Sequence, residues 1–215
     1  MIRIRCSALG QIMANHTAAA AKAGEVLSVG AKTYIRRLVR EDIFGVQEFV
    51  STRPMEKGTR CEGEGILLYN TVFGTSHVKN TERKTDDYLT GECDIAGEQI
   101  IDIKLPWSVA SFPICELDAK DTGYEWQGRG YMLLWGAQSF RVAYCLVDTP
   151  DDLIGYERPE LHKVSHIDDR FRVTVWDIKR DVENDALIVV KVKAAREYYA
   201  QVLAEFDKAH TRGKP

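Results

Sequence analysis

Leu89-Thr90-Gly91-Glu92-Cys93-Asp94-Ile95-Ala96-Gly97-Glu98-Gln99-Ile100-Ile101-Asp102-Ile103-Lys104-Leu105-Pro106 is the stretch on which the reading of this chain turns. Two runs of strand character, Tyr88 to Ile95 and Gln99 to Leu105, flank a tight turn at Ala96-Gly97-Glu98, which predicts a β-hairpin. Alternate side chains of a strand share a face. Ile101 and Ile103 then point into a core, while Asp102 and Lys104 emerge side by side on the opposite face. The turn folds the preceding strand back and brings Asp94 beside Asp102, to within about a residue of register. Two acids that close repel, and one pKa rises unless a cation neutralises them. Hard divalent cations favour such oxygen clusters, and Mg²⁺ takes one or two carboxylates together with water and phosphate. The plainer reading of the same residues is a surface hairpin with an Asp102–Lys104 ion pair, which is worth little.

Toward the N-terminus, the apolar spacing predicts a helix from about Lys57 to Phe73. Glu62, Ile66, Tyr69 and Phe73 fall on one stripe, so Glu62 continues an inward apolar face while Glu64 falls off it. A carboxylate on a buried face must be paired, metal-bound or protonated. An ion pair with Arg36 or Arg60 is the alternative to a metal. Toward the C-terminus, a helix from Tyr124 to Trp135 carries Tyr124, Gln127, Tyr131, Leu134 and Trp135 on one stripe, with Gly136 as its stop. A glutamine among aromatics needs polar partners, which a neighbouring site or the backbone can supply.

Farther out, Ser7 to Asn15 reads as a short helix capped by Ser7, and Ala31 to Phe44 as a second helix. His16 to Gly30 has the weakest pattern and reads as a mobile surface connection. His77 to Arg83 is a further candidate strand, Phe140 to Val147 a strand apolar on both faces, and Phe171 to Trp176 an alternating one. A long helix from about Val182 to Lys208 closes the chain. The order α, β, β, β, α, β between residues 57 and 147 describes one mixed α/β unit. It carries an N-terminal helical part over 1–56 and a C-terminal strand and helix over 169–208, within a single domain spanning 1–215.

Composition agrees with a globular chain. Its 215 residues, 45% hydrophobic and 28% charged, can bury a sizeable core, and no apolar run approaches the ~20 residues of a membrane span. The N-terminus has no apolar signal region, and five scattered cysteines without a C-x-x-C pair read as reduced thiols in a cytoplasm. A net charge of −3 argues against bulk electrostatic coating of nucleic acid and leaves room for local patches. Arg36, Arg37 and Arg40 form one such candidate patch and Arg170 with Arg172 another, although solvated faces carry similar clusters. His162 and His166 have the spacing of a metal pair but sit in loop-like sequence and read as solvent-exposed.

Taken in order, these residues resemble the PD-(D/E)XK nuclease superfamily, and within it the phage lambda exonuclease and YqaJ-type viral recombinase nucleases. The resemblance rests on Gly58-x-x-x-Glu62-x-x-Gly65-x-x-x-Tyr69, then Gly91-Glu-Cys-Asp94, Asp102-Ile-Lys104-Leu-Pro106 and Tyr124-x-x-Gln127-x-x-x-Tyr131. It implies a restriction-endonuclease-like αβββαβ core with a mixed central sheet flanked by helices. It implies that Glu62, Asp94, Asp102 and the backbone carbonyl of Ile103 bind Mg²⁺, with Mn²⁺ as a substitute, and that Lys104 acts on the attacking water. Gln127 and Tyr124 would support them. Asp102 stands where these exonucleases more often carry Glu. Arg5-Cys6-Ser7 is similar to a family segment near a 5′-phosphate pocket, but the arginine that accompanies it upstream has no counterpart.

The implied activity is a metal-dependent exonuclease on linear double-stranded DNA, 5′ to 3′, working in phage recombination beside a single-strand annealing protein and assembled as a trimer. The alternatives are an endonuclease of the same superfamily and a catalytically silent DNA-binding module.

Overall fold

The computed structural model describes residues 2–15, 24–48 and 50–211, so most of the connection read at His16 to Gly30 lies outside the described residues. The order of elements is β1 (Ile4–Arg5), α1 (Leu9–Met13), α2 (Val29–Phe44), α3 (Arg53–Arg60), α4 (Glu62–Phe73), β2 (Lys84–Thr85) and β3 (Leu89–Gly91). After these come β4 (Gln99–Lys104), α5 (Thr122–Trp135), β5 (Ser139–Cys145), α6 (Asp151–Ile154), β6 (Val173–Lys179) and α7 (Val182–Thr211). The succession α4-β2-β3-β4-α5-β5 is the αβββαβ order of the sequence reading.

The strands form two mixed three-stranded sheets, ordered β1-β3-β2 and β4-β5-β6. β4 and β5 pair in parallel, with Ile100 opposite Phe140 and Asp102 opposite Val142. A parallel pair cannot be joined by a hairpin, and α5 supplies the crossover. β6 closes that sheet antiparallel to β5. The hairpin expected between Tyr88–Ile95 and Gln99–Leu105 is reduced to one antiparallel bridge, Ile95 to Ile101, because β3 ends at Gly91 and pairs with β1 and β2 rather than with β4.

The pleat of β4 sorts its residues between two cores. Ile100, with Phe140 and Val142 of β5, packs toward α1, α5 and α7. Ile101 and Ile103, with Ala143 and Cys145, pack toward Ile66, Leu68 and Tyr69 of α4. Asp102 therefore faces α5, and it is only 2% exposed. Ile101 and Ile103 thus face a core as expected, and the plainer alternative, a surface hairpin, fails because β4 is an interior strand covered on both sides.

Two glycines let the covering helices come close. A Cβ on Gly65 of α4 would stand 2.6 Å from Leu105 Cδ2 and 2.9 Å from Ile103 Cγ2. One on Gly128 of α5 would stand 2.0 Å from the Phe140 ring.

Several boundaries differ from the sequence reading. The helix expected over Lys57 to Phe73 is two helices. Thr52 caps the first, accepting from Met55 N–H, with Pro54 in its first turn, and Cys61 (φ −105°, ψ 10°) separates them. Phe73, expected on the buried stripe, is 41% exposed and packs its ring on Tyr69. His77 to Arg83 is not a strand. Asn70 of α4 holds His77 through both backbone groups, and pairing begins only at Lys84. Ser7 does not cap a helix but lies within a 3-10 turn, Cys6–Ala8, that leads into α1. The strand expected at Phe171 starts at Val173, after a 3-10 turn at Asp169–Phe171. Among the described residues no helix is long and apolar enough to cross a membrane.

Candidate active site

β4 ends in an open cleft of about 790 Å³ whose walls include Glu62, Asp94, Asp102, Lys104, Tyr124 and Gln127. Each arrives by a separate route. Asp102 and Lys104 project from the α5 face of β4, where the pleat places both. Asp94 precedes the Ile95–Ile101 bridge, and its Oδ2 accepts the Ile103 N–H at 2.7 Å. Glu62 opens α4, because the break at Cys61 puts it in a first turn, where helix polarity favours a carboxylate. Gln127 and Tyr124 descend from α5, whose start is fixed by Asp121 capping Tyr124 N–H at 2.9 Å.

The charges are closely matched yet incompletely satisfied. The Lys104 ammonium lies 2.6 Å from Asp102 Oδ2 and 4.2 Å from the Tyr124 ring centroid. Gln127 Nε2 donates to Asp102 Oδ1 and to Tyr131 Oη, both at 3.1 Å, and Tyr131 Oη donates to Glu92 O at 2.9 Å. The glutamine on an aromatic stripe is thus a support for Asp102. Burial and the neighbouring Asp102 charge push the Asp94 carboxyl well above the usual carboxylate range, against the pull of the Ile103 N–H and Lys104. Burial disfavours the Lys104 charge, but Asp102 more than offsets it and the ammonium is held above its ordinary pKa.

One atom stands out. Asp102 Oδ2 is buried, and the polar group that reaches it is the Lys104 ammonium at 2.6 Å. Among the described residues the cleft gathers three acids against two lysines, and burial and the Asp102 charge push one of those acids, Asp94, toward its neutral form, so the oxygen cluster is short of positive charge. These donors suit a hard divalent cation. Among the described residues no three His, Cys, Asp or Glu side chains converge tightly enough to cage an ion. Glu62 lines the same cleft but is ion-paired to Lys79, a partner the sequence did not point to, in place of Arg36 or Arg60. Arg60 instead forks onto Asp152 at 2.6 and 3.0 Å.

The other candidates lie apart. Ser7 is exposed in a separate cavity of about 380 Å³, with Arg5, Arg83 and Glu92; Tyr131 lines both spaces. Arg36 is bonded to Tyr198 and Glu205, and Arg37 pairs with Glu41. Arg40 is exposed, and none of the three borders the cleft. Arg170 and Arg172 pair with Asp168 and Asp169.

His162 corrects the sequence reading most sharply, because it is fully buried; His166 is exposed. The His162 ring bridges Trp107 O and Thr149 Oγ1 through Nδ1 (3.2 and 3.3 Å) and Glu157 through Nε2 (3.1 Å). It belongs to an anchor for the loop after Lys104. Trp107 O also accepts from Lys57 Nζ at 3.2 Å and Thr149 Oγ1 at 3.0 Å, while the Trp107 indole donates to Glu157 at 2.9 Å. Lys57, fully buried, donates as well to Pro106 O (2.7 Å) and Val147 O (2.9 Å), stapling the ends of β4 and β5. Burial lowers its pKa to about 8. Lys57 carries no sequence signal for this role, since its acceptors are backbone groups 49, 50 and 90 positions away, and the Trp107 carbonyl that His162 reaches is 55 positions away.

Comparison with solved structures places this arrangement among exonucleases. A phage-related exonuclease from Haemophilus somnus 129PT is 33% identical over 95% of this chain and 96% of its own, with a TM-score of 0.88. An alkaline exonuclease from Laribacter hongkongensis shares the fold at 17% identity, over 98% of this chain and 95% of its own, with a TM-score of 0.66. A second structure of that protein, in complex with dAMP, gives a TM-score of 0.67 at 16% identity, over 98% and 94% of the two chains. No protein-family profile and no curated protein matches the chain.

Proposed function

Since the chain belongs to the lambda-exonuclease type of PD-(D/E)XK nucleases, the family of the phage-related exonuclease, we propose that it is a Mg²⁺-dependent exonuclease degrading linear double-stranded DNA from its 5′ ends. The observation that carries the proposal is the convergence of Asp94, Asp102 and Lys104 at one cleft, with Asp94 pushed toward its neutral form by burial and by the Asp102 charge. Neither a structural ion pair nor a silent binding surface requires that convergence.

In this reading Glu62, Asp94, Asp102 and the carbonyl of Ile103 hold one or two Mg²⁺ ions, for which Mn²⁺ can substitute. Such ions, when bound, stabilise the attacking and leaving oxygens of an in-line displacement at phosphorus. The chain's own groups do the rest. Lys104 Nζ orients the attacking water and offsets charge on the phosphoryl oxygens. The Tyr124 ring confines that ammonium, and Gln127, itself held by Tyr131, fixes the rotamer of Asp102. The Ile103 N–H holds Asp94 against β4. Ser7, in its own cavity behind Tyr131, is the candidate for a DNA end phosphate. By family resemblance the protein acts as a homo-oligomeric ring, a trimer, in a host cytoplasm, and supplies single strands to an annealing recombinase. Arg36, Arg37 and Arg40 are weaker candidates for DNA contact, given the acids and the tyrosine that already hold the first two.

The test is incubation with Mg²⁺ and end-labelled linear duplex, with and without a 5′-phosphate, beside a covalently closed circle. Progressive loss of the linear DNA from its 5′ ends, abolished by chelation, is the expected result. Cleavage of the circle would make the protein an endonuclease, and inertness toward all three substrates would remove the nuclease reading.

A further inference from the structure

Among the described residues, Lys79 is the one cation lining the cleft that no part of the mechanism uses. The segment carrying it is pinned on both sides. Asn70 of α4 accepts the His77 N–H and donates to His77 O, both at 2.9 Å. Asn80 donates its N–H to Asp94 O at 2.7 Å and its side-chain amide to Cys93 O at 3.0 Å. Between these clamps Lys79 borders the cleft and its ammonium contacts the Glu62 carboxylate.

Among the described residues the cleft holds three acids and two ammonium groups. Lys104 serves Asp102 and Lys79 serves Glu62, while Asp94 receives a backbone N–H. The two lysines are held differently. Lys104 lies over the Tyr124 ring with its side chain 21% exposed, whereas the Lys79 side chain is 50% exposed and can swing into water on a flexible stem. A divalent ion reaching Glu62 meets an ammonium already on that carboxylate, and like charges at contact distance exclude one another.

We propose that Lys79 is a resident stand-in cation for Glu62, which a divalent ion must displace before Glu62 can serve as its ligand. The inference rests on reading Glu62, Asp94 and Asp102 as the ion-binding acids. Lys79 thereby keeps the ion-free cleft from accumulating uncompensated negative charge. It also raises the ion concentration at which the site fills.

Calorimetric titration of Mn²⁺ into the full chain tests this without reference to cleavage. Lys79→Met is expected to bind Mn²⁺ about fivefold tighter than the unsubstituted chain, the factor an exposed ion pair can withhold. Lys79→Gln, which keeps a polar side chain, is expected to move the same way. In a Glu62→Gln background, Lys79→Met should change nothing. Unaltered or weaker binding by both Lys79 variants would overturn the proposal and make Lys79 a support for Glu62. Mn²⁺ binding that survives Asp102→Asn unchanged, or is absent from the unsubstituted chain, would instead sink the underlying assignment of the acids, and this inference with it.

Discussion

Two buried polar clusters meet at the end of β4, and they are satisfied to different degrees. In the anchor, Trp107 O draws Lys57, Thr149 and His162, and the indole N–H has Glu157. In the cleft, the acids outnumber the lysines that line it among the described residues, and Asp94 is pushed toward protonation by burial and by the acid beside it. Buried polar groups are normally paired, so a region that stays under-satisfied a few residues from one crowded with donors marks where a ligand belongs. The satisfied cluster holds the strand end still, and the unsatisfied one is built to receive something.

The largest effect that would separate them is at Asp102. Asp102→Asn is expected to lower cleavage of linear duplex by about 10³-fold or more. Its thermal unfolding midpoint should move little, because relief of the repulsion with Asp94 is offset by loss of the charge that holds the buried Lys104 ammonium. A midpoint that fell with the activity would place Asp102 with the anchor instead.

Lys57→Met should show the opposite pattern. Three buried carbonyls lose a donor, and a urea titration should register a loss of about 2–4 kcal/mol, while activity per folded molecule stays near that of the parent chain. Gln127→Ala comes next: divalent-ion affinity by calorimetry should weaken about tenfold with an unchanged circular dichroism spectrum, since the amide orients Asp102 and bears no load of its own.

The smallest effect is one of pH. Lys57 has a folded pKa of about 8 against its ordinary 10.5, so between those values the unfolded chain holds a proton the folded chain has released. Stability from this group therefore rises with pH across that window and is level below it. Urea titrations at pH 7.5 and 9.5 should show the rise, and Lys57→Met should remove it.

The sequence carried the cleft better than the anchor, for physical reasons. Asp102 and Lys104 share a face by the two-residue period of a strand, and Asp94 reaches them through a short turn, so local periodicity is enough. Glu62 was placed on the right helix, but Cys61, with neither Gly nor Pro to mark a break, hid the fact that it begins one. Thr52 ahead of Pro54 was the available signal for the start of α3 and went unread. His77 to Arg83 looked extended, yet its shape is set by Asn70, which a strand pattern does not register. Lys57 was invisible because its acceptors are distant backbone carbonyls, and His162 because the burial of a polar residue is a property of three dimensions. The Lys79 contact was hidden for the same reason.

The near-contact glycines give the domain a fixed gauge. Gly65 lies one turn beyond Glu62, and Gly128 adjoins Gln127. Each sits where the backbone of its helix rests directly on strand side chains. The width between the acid wall and the amide wall is therefore inherited from atomic radii, and the connecting loops can lengthen or drift in sequence without altering it. A single methyl group added at either glycine would have to displace Leu105 and Ile103 or the Phe140 ring, spreading the two walls while leaving every chemical group in the cleft in the chain.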